Sequence, residues 1–316
     1  MMVAHAPPLL PPLARLTSLQ LPSPFALGID GTCNSGDMPT LALHAMQESL
    51  RFSSSVRALK AFTKQLPIEI AGPVLLGSGD FHHLSLPLIE RQAAHKGLRV
   101  LVLDNHPDNM RYLFGVHCGS WVRRVCALPF VHSVHVLGIS SNDVSKSQAW
   151  ANYLAPLRTG KLRYSCLSVN TDWALQRGLD QQIRTYPSPQ AMIDALRCEL
   201  QASQEPIYCS IDKDVLAKTV VQTNWDQGLL LEADILALIG CMRGRIVGAD
   251  ICGEVSSFRY RSWLKRWLSR LDQQQPPDPT LLPQWQIQHQ ELNSRLLLAL
   301  ADAWRVRPES VQNAHH

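Results

Sequence analysis

Short apolar runs alternate with longer amphipathic segments from residue 25 onwards, and this alternation restricts the fold more than any other feature of the sequence. The short runs are typical of strands buried on both faces, and the segments between them repeat apolar residues at the three- and four-residue spacing of helices. The pattern predicts an α/β fold, a three-layer sandwich with a central parallel sheet. The predicted strands are 25–29, 74–77, 99–104, 133–139, 164–169, 207–212 and 246–251, and the predicted helices are 45–66, 84–97, 144–156, 188–203 and 230–242.

The two ends of the chain depart from this pattern. Prolines interrupt every apolar run in residues 1–24, so we expect a flexible arm there and neither a signal peptide nor a membrane span. The proline-rich stretch Leu271–Trp285 cannot continue a helix. It precedes a final amphipathic helix, Gln286–Trp304, which we expect to pack on the sheet or on a neighbouring subunit. The sequence thus predicts one domain over residues 25–306 and a tail over 307–316.

Composition excludes several classes of partner. The net charge of +4 comes from 30 basic and 26 acidic residues with no long basic run, so neither a nucleic-acid nor a membrane partner is indicated. The eight cysteines are dispersed and form no C-x-x-C pair. They are typical of reduced thiols in a cytoplasmic protein.

Polar residues directly after apolar strands are the candidates for chemistry, because ligands bind at the carboxyl ends of parallel strands. The segment VLDNHPDNM (102–110) has a D-x-H-x-D pattern that points Asp104, His106 and Asp108 toward one side. The segment CSIDKDVL (209–216) places Asp212 and Asp214 at the end of another strand, where two unpaired carboxylates would repel each other. A divalent cation would remove that repulsion.

Each pattern taken alone has an ordinary structural explanation. A D-x-H-x-D sequence is often a solvated loop, and a D-x-D sequence after a strand is often a turn or a helix cap. A third strand end, LLGSGDFHHLSLPLI (75–89), adds histidines to the same edge of the predicted sheet. Because all three follow apolar strands of one α/β chain, we favour a metal site.

These segments resemble those of the ureohydrolase family, which comprises arginases, agmatinases and formimidoylglutamases. The family's G-G-D-H, D-A-H-x-D and S-x-D-x-D motifs correspond to GSGDFH (77–82), DNHPD (104–108) and SIDKD (210–214). Three further segments are similar to family segments, in the same order, so that the resemblance covers residues 70–256. They are VHCGSWVRR (116–124), TNWDQGLLLEADILALI (223–239) and ADICGEVS (249–256).

The resemblance implies the arginase-like fold and two Mn²⁺ ions per chain. His82 is preferred to His83 as a ligand, because Pro87 then matches a proline of the family pattern. Oxygen and imidazole donors without thiolate also favour manganese over structural zinc. The implied ligands of one ion are His82, Asp104, Asp108 and Asp212, and those of the other are His106 and Asp214, with Asp104 and Asp212 bridging.

The resemblance also implies the reaction, which is hydrolysis of a C–N bond in a small guanidino or formimino substrate, or in a peptidyl arginine, by a hydroxide held between the ions. Asp108 would orient the hydroxide. His117 would pass a proton to the leaving amine, because imidazole exchanges protons near neutral pH. Glu254 would receive the guanidinium through charge-assisted hydrogen bonds. Ureohydrolases usually form homo-oligomers, and the final helix is compatible with that.

The sequence departs from the family pattern by one additional residue at each of three sites, namely Phe81, Cys118 and Gly253. Two alternatives therefore stay open. One is a single-zinc deacetylase of similar fold, which a second set of carboxylate ligands argues against. The other is a non-catalytic relative that acts as a binding protein. Trp121 and Trp225 either line the substrate pocket or belong to the core.

Overall fold

The computed structural model describes residues 22–33, 38–68, 70–271 and 277–304. Most of the predicted arm and all of the predicted tail lie outside the described residues. The strands of the described part are β1 (Phe25–Gly28), β2 (Thr40–Ala42), β3 (Ser53–Ser54), β4 (Val74–Ser78), β5 (Leu98–Leu103), β6 (Val116–His117), β7 (Val131–Ile139), β8 (Leu162–Leu167), β9 (Ile183–Tyr186), β10 (Ile207–Asp212) and β11 (Ile246–Glu254).

One sheet with the strand order β2-β1-β4-β11-β10-β5-β7-β8-β9 forms the centre of the molecule, and every neighbouring pair in it is parallel. Strands β3 and β6 form a separate antiparallel pair. The seven predicted strands are confirmed as β1, β4, β5, β7, β8, β10 and β11, with ends that differ by at most three residues. Strands β2 and β9 were not predicted. Both lie at the outer edges of the sheet, where several of their side chains are exposed to solvent, so neither contains a continuous apolar run.

Apolar cores cover both faces of the sheet, which confirms the three-layer sandwich. Successive residues of β5 show how one strand serves both cores, because Val100 and Val102 join the first core and Leu101 and Leu103 the second. The helices are α1 (Gln47–Leu50), α2 (Val56–Gln65), α3 (Ser85–Glu90), α4 (Val122–Cys126), α5 (Ala155–Arg158), α6 (Asp172–Gln176), α7 (Pro189–Gln201), α8 (Glu232–Cys241), α9 (Trp263–Leu271) and α10 (Leu282–Ala303).

The predicted helices 188–203 and 230–242 are confirmed as α7 and α8, and both pack in the second core. Helix α7 begins where its sequence indicates, since the Ser188 side chain accepts a hydrogen bond from the backbone N–H of Ala191 and Pro189 occupies the first turn. Helix α10 also packs in the second core, which confirms one of the two placements expected for the final helix. No described helix is long and apolar enough to cross a membrane.

The prediction of one helix over 45–66 is wrong, because the chain breaks between α1 and α2. Phe52 adopts a positive φ of 68°, and Ser53–Ser54 pair with Val116–His117 as β3 and β6. A continuous helix would remove this pairing. The break places Arg51 in the interior, where its guanidinium contacts Asp80 and Asp30.

Two other predicted helices are shorter than expected. The helix predicted over 84–97 ends at Glu90, and a 3₁₀ segment, Gly79–Leu84, precedes it. The segment 144–156 contains 3₁₀ turns and only the start of α5, so the helix predicted there is wrong. Its apolar spacing does not reflect a helix face, since Trp150 is 72% exposed. The final helix begins earlier than predicted, because Pro283 fits its first turn.

Candidate metal centre and cleft

The carboxyl ends of β4, β11, β10 and β5 meet at one edge of the sheet, because these four strands are consecutive neighbours. His82 lies in the 3₁₀ segment after β4, and Asp104 follows β5 directly. Asp212 ends β10, and the 3₁₀ turn after it carries Asp214. The sheet order thereby brings together side chains that are up to 132 residues apart, from His82 to Asp214.

One group of candidate ligands surrounds His82. Its Nδ1 atom lies 2.9 Å from Oδ2 of Asp108, 3.1 Å from Oδ2 of Asp104 and 3.5 Å from Oδ2 of Asp212. The adjacent His83 faces elsewhere, with its Nε2 atom 2.7 Å from the hydroxyl of Ser54. The structure therefore places His82, and not His83, among the carboxylates.

A second group surrounds His106. Its Nδ1 atom lies 2.9 Å from Oδ2 of Asp214 and 3.6 Å from Oδ1 of Asp104. Asp104 therefore directs one carboxylate oxygen toward each histidine and connects the two groups. Among the described residues, ligand atoms compatible with one cation occur in three triplets, namely His82–Asp104–Asp108, Asp104–His106–Asp214 and His82–Asp212–Cys252.

The electrostatics of the site favour a cation. Burial raises the pKa of Asp214, and the negative charges of Asp212 and Asp104 raise it further. Burial and the charge of Asp104 likewise raise the pKa of Asp108 to about 7. Buried carboxylates at this spacing repel one another unless a positive charge is present.

A hydrogen-bonded chain behind His82 fixes the orientation of its ring. The His82 Nε2 atom lies 2.9 Å from the hydroxyl of Ser210, which donates to Asp250 Oδ1 at 2.7 Å. The hydroxyl of Tyr208 donates to the other Asp250 oxygen at 2.6 Å. Because Nε2 is engaged in this way, Nδ1 faces the carboxylates, as expected of a metal-binding histidine.

Trp121 and Trp225 occupy different places. The Trp121 side chain is completely buried, and its Nε1–H donates to Oδ2 of Asp108 at 2.6 Å. Trp225 lines the cleft above the two histidines, with its ring 6.2 Å from that of His106. Trp121 therefore supports the candidate ligand Asp108, and Trp225 forms a wall of the cleft.

The candidate ligands lie on the floor of a cleft of about 460 Å³. His117 is part of its lining, next to Cys118 and Gly119. The His117 Nδ1 atom accepts a hydrogen bond of 2.9 Å from the backbone N–H of Gly119, which leaves Nε2 as the site of the ring proton in the neutral form. The other lining residues include Met110, Asn142, Asp143, Gln148, Asn152 and Asp226.

Glu254 does not line this cleft, and its position disagrees with its expected role as the acceptor of a guanidinium. Its carboxylate is buried and accepts hydrogen bonds from Lys213 Nζ at 2.5 Å and Asn293 Nδ2 at 2.7 Å. The physical reason is the additional residue Gly253, which has a φ of +94° at an irregularity of β11. A Cβ atom at Gly253 would lie 2.5 Å from Oδ1 of Asp212, so the position facing the candidate ligands carries no side chain.

The other two additional residues are accommodated without removing a predicted site residue from the cleft. Phe81 is buried in the first core, because the 3₁₀ turn directs it inward while His82 faces the cleft. Cys118 lines the cleft beside His117. Only the third insertion, Gly253, separates a predicted residue from the site.

Three residues near the site were missed by the sequence analysis. Asp226 lies with Oδ1 2.7 Å from Nε2 of His106. The buried side chain of Asn105 donates to the backbone oxygen of Asp226 at 3.1 Å. Cys252 donates from Sγ to Oδ2 of Asp212 at 3.1 Å. The only sequence signal for Asn105 was its place inside D-x-H-x-D. Asp226 and Cys252 lie inside the segments 223–239 and 249–256 that resemble family segments, but the resemblance gave neither residue a role.

Comparison with known proteins places this site in a family. A model of the arginase family matches residues 18–259. An uncharacterized protein of Thermotoga maritima is 28% identical over 208 residues, which make up 66% of this chain and 68% of that protein. The segment matched by the family model includes every candidate ligand.

Solved structures show the same fold. Proclavaminate amidino hydrolase from Streptomyces clavuligerus has a TM-score of 0.50 and 17% identity, over 90% of this chain and 96% of that one. Formimidoylglutamase from Bacillus subtilis has a TM-score of 0.51 and 15% identity, over 89% of this chain and 86% of that one. At these identities the likeness concerns the fold, whereas the family model matches the sequence itself over most of its length. The chain belongs to the arginase family.

Proposed function

We propose that this protein is a binuclear manganese-dependent hydrolase that cleaves a C–N bond of a small guanidino or formimino substrate. The observation that carries the proposal is the pair of candidate ligand triplets that share Asp104 on the floor of the cleft.

The residues of the site fit divalent cations. The Oδ2 atom of Asp104 is buried and accepts no hydrogen bond within the described part of the chain. Burial also raises the pKa of Asp212 and of Asp214, so their charged forms need compensation. His82, Asp104, Asp108 and Asp212 would hold one ion, and His106 and Asp214 would complete the site of the other, with Asp104 and Asp212 shared.

Two ions fit this donor set better than the single zinc of a deacetylase. A single ion near His82 would leave the partly buried His106 and the buried Asp214 as a pair at 2.9 Å without a function. Oxygen and imidazole donors suit manganese. Cys252 does not alter this preference, because burial raises the pKa of its thiol well above the ordinary value and the thiol serves Asp212 as a donor.

The charge of the cleft favours a cationic substrate. Asp143 and Asp226 add two carboxylates to the lining beyond the candidate ligands, and none of the described residues that line the cleft is Lys or Arg. A guanidinium or formiminium group is positive near neutral pH and is attracted by these carboxylates. A volume of about 460 Å³ accommodates a small molecule of this class.

The chain's own residues would orient water and move protons. Bound Mn²⁺ supplies Lewis-acid chemistry, which activates water and stabilises negative charge as the C–N bond is attacked. Asp108, whose Oδ2 atom is fixed by the Trp121 indole, would accept a hydrogen bond from the attacking water. His117 would deliver a proton from Nε2 to the leaving amine, since its Nδ1 atom is occupied by Gly119.

The test is the metal content of protein produced with manganese, combined with a screen for urea or ammonia release from guanidino and formimino compounds. We expect two manganese ions per chain and turnover of at least one compound. The variant Asp212→Ala should lose metal and turnover together, because Asp212 would be shared by both ions. The control Asp302→Ala removes an exposed carboxylate that pairs with Arg243 and should keep both.

Other outcomes would select an alternative. One zinc per chain with release of acetate from acetylated amines would favour a deacetylase. Absence of metal and of turnover would favour a binding protein with the same fold. Metal and turnover retained by Asp212→Ala would show that the centre lies elsewhere.

A further inference from the structure

The segment 223–228 forms a wall of the cleft and is connected to the loop after β5. Trp225 and Asp226, both in this segment, line the cleft. The side-chain amide of Asn105 donates to the backbone oxygen of Asp226 at 3.1 Å and to its Oδ2 atom at 3.3 Å. Asn105, which lies between the candidate ligands Asp104 and His106, therefore holds the wall in place.

Asn105 joins further elements of the site. Its side-chain oxygen accepts hydrogen bonds from the backbone N–H of Ser140 at 3.1 Å and from the Ser140 hydroxyl at 2.7 Å. Its backbone N–H donates to Oδ1 of Asp214 at 3.1 Å. Because Asn105 is 1% exposed, these bonds are shielded from water and fix its amide in one orientation.

Asp226 completes the arrangement through His106. The two ring nitrogens of His106 face different partners, with Nε2 2.7 Å from Oδ1 of Asp226 and Nδ1 2.9 Å from Oδ2 of Asp214. A neutral imidazole has one N–H and one lone pair. When Asp226 accepts the N–H of Nε2, the lone pair is on Nδ1 and faces Asp104 and Asp214.

We propose that Asp226 is a positioning residue that fixes His106 with Nδ1 toward the second ion, which is the ion that His106 and Asp214 would hold. We also propose that Asn105 couples this orientation to the position of the 223–228 wall. The inference rests on the proposed function, since it assumes that the second ion binds. Carboxylates that hold metal-binding histidines typically contribute about 10- to 100-fold to metal affinity or activity. In this chain that carboxylate also belongs to the wall of the cleft, so the second ion and the wall are linked.

The experiment is a titration of the metal-free protein with Mn²⁺, in which free Mn²⁺ is measured by electron paramagnetic resonance. For Asp226→Ala we expect the second ion to bind about 10- to 100-fold more weakly and the first ion to bind as in the unmodified protein. Asp226→Asn keeps an oxygen acceptor without the charge, so its affinity for the second ion should lie between those of the unmodified protein and of Asp226→Ala. The side chain of Asp226 is 68% exposed, so thermal unfolding of the metal-free variants should match that of the unmodified protein.

The matched control is Asp143→Ala, which removes another carboxylate of the same cleft lining. It removes the same charge from the cleft and should not weaken the second ion selectively. If Asp226→Ala bound both ions with unaltered affinity, or if both Ala variants weakened both ions equally, the positioning role would be overturned while the binuclear site remained. If the unmodified protein bound fewer than two ions, the proposed function and this inference would both be overturned.

The proposed coupling between the second ion and the 223–228 wall can be measured separately by tryptophan fluorescence. Second-ion binding should change the tryptophan fluorescence of the unmodified protein, because Trp225 lies in the wall next to His106. Trp225→Phe identifies the contribution of this residue to the signal. A variant Asn105→Ala that bound the second ion and gave the full Trp225 signal would contradict the coupling.

Discussion

The indole Nε1–H of Trp121 donates a hydrogen bond of 2.6 Å to Oδ2 of Asp108, and the same oxygen lies 2.9 Å from Nδ1 of His82. Trp121→Phe would remove this donor and free the carboxylate to rotate. We expect about a 10- to 100-fold loss of turnover or of affinity for the ion at His82. Steady-state kinetics and a Mn²⁺ titration would measure it.

Trp173→Phe is the matched control for this variant. Trp173 is also buried, and its Nε1–H donates to the backbone oxygen of Val144 at 2.9 Å. Both substitutions remove one indole donor from the interior, so both should lower the free energy of unfolding by about 1–3 kcal/mol. Equal turnover in the two variants would show that the bond to Asp108 has no role in the site.

His117 is expected to transfer a proton to the leaving amine and not to bind the metal. His117→Gln should lower kcat by about 10²- to 10⁴-fold, the usual contribution of a general acid, with two manganese ions still bound. Kinetics and metal analysis of the same preparation would test this. A loss of metal from the variant would instead identify His117 as a ligand.

The buried pair of Lys213 and Glu254 is expected to contribute to stability. Lys213→Met would leave the Glu254 charge buried without its main partner and should lower the free energy of unfolding by about 3–5 kcal/mol. Adding Glu254→Gln should restore part of this loss, because the amide is neutral and can donate to Asn293 Oδ1, which accepts from Lys213 at 2.9 Å in the unmodified protein. Urea unfolding of the metal-free proteins would show it. A double variant less stable than Lys213→Met would contradict this account.

His135 should make stability depend on pH in the acid range. Burial, followed by the positive charge of Arg163, lowers the pKa of His135 from 6.5 to about 3. Between these values the unfolded chain binds a proton that the folded protein does not, so stability falls as the pH falls from 6.5 toward 3. His135→Gln should reduce the slope of unfolding free energy by up to about 1.4 kcal/mol per pH unit in this window.

His132→Gln is the control for the pH measurement, because His132 is on the same strand and 60% exposed at its side chain. Both variants keep every carboxylate of the metal centre, whose titration therefore affects them equally. If the slopes of the two variants were the same between pH 4 and 6, the buried ring of His135 would not be the source of the acid sensitivity.

Local patterns were sufficient to predict the floor of the site. The alternation expected of an extended chain does not continue past the strands, because residues 105–106 form a bend and Lys213–Val215 form a 3₁₀ turn. The side chains of Asp104, His106, Asp212 and Asp214 nevertheless converge, because each lies at or just after the end of an apolar strand. The central strands were predicted for the same reason, since strands buried on both faces are continuous apolar runs. The floor and the centre of the sheet were therefore accessible from the sequence.

The walls of the site depend on contacts between distant segments and were not predictable in this way. Asp226 and Asn105 are single polar residues, and only the folded chain places them together, 121 positions apart. The position of Glu254 depends on the backbone conformation at Gly253, which the sequence does not reveal. The break at Phe52 arises likewise from pairing with a strand more than 60 residues away.

The order of the strands has a consequence for synthesis of the chain. Among the described strands of the sheet, β11 is the last in the chain, yet it lies between β4 and β10 and joins the two halves of the sheet. Until residues 246–254 leave the ribosome, no continuous sheet joins the half that carries His82 to the half that carries Asp104, His106, Asp212 and Asp214. We therefore expect a nascent chain to complete the candidate metal centre only after β11 has been synthesised and has paired with both β4 and β10.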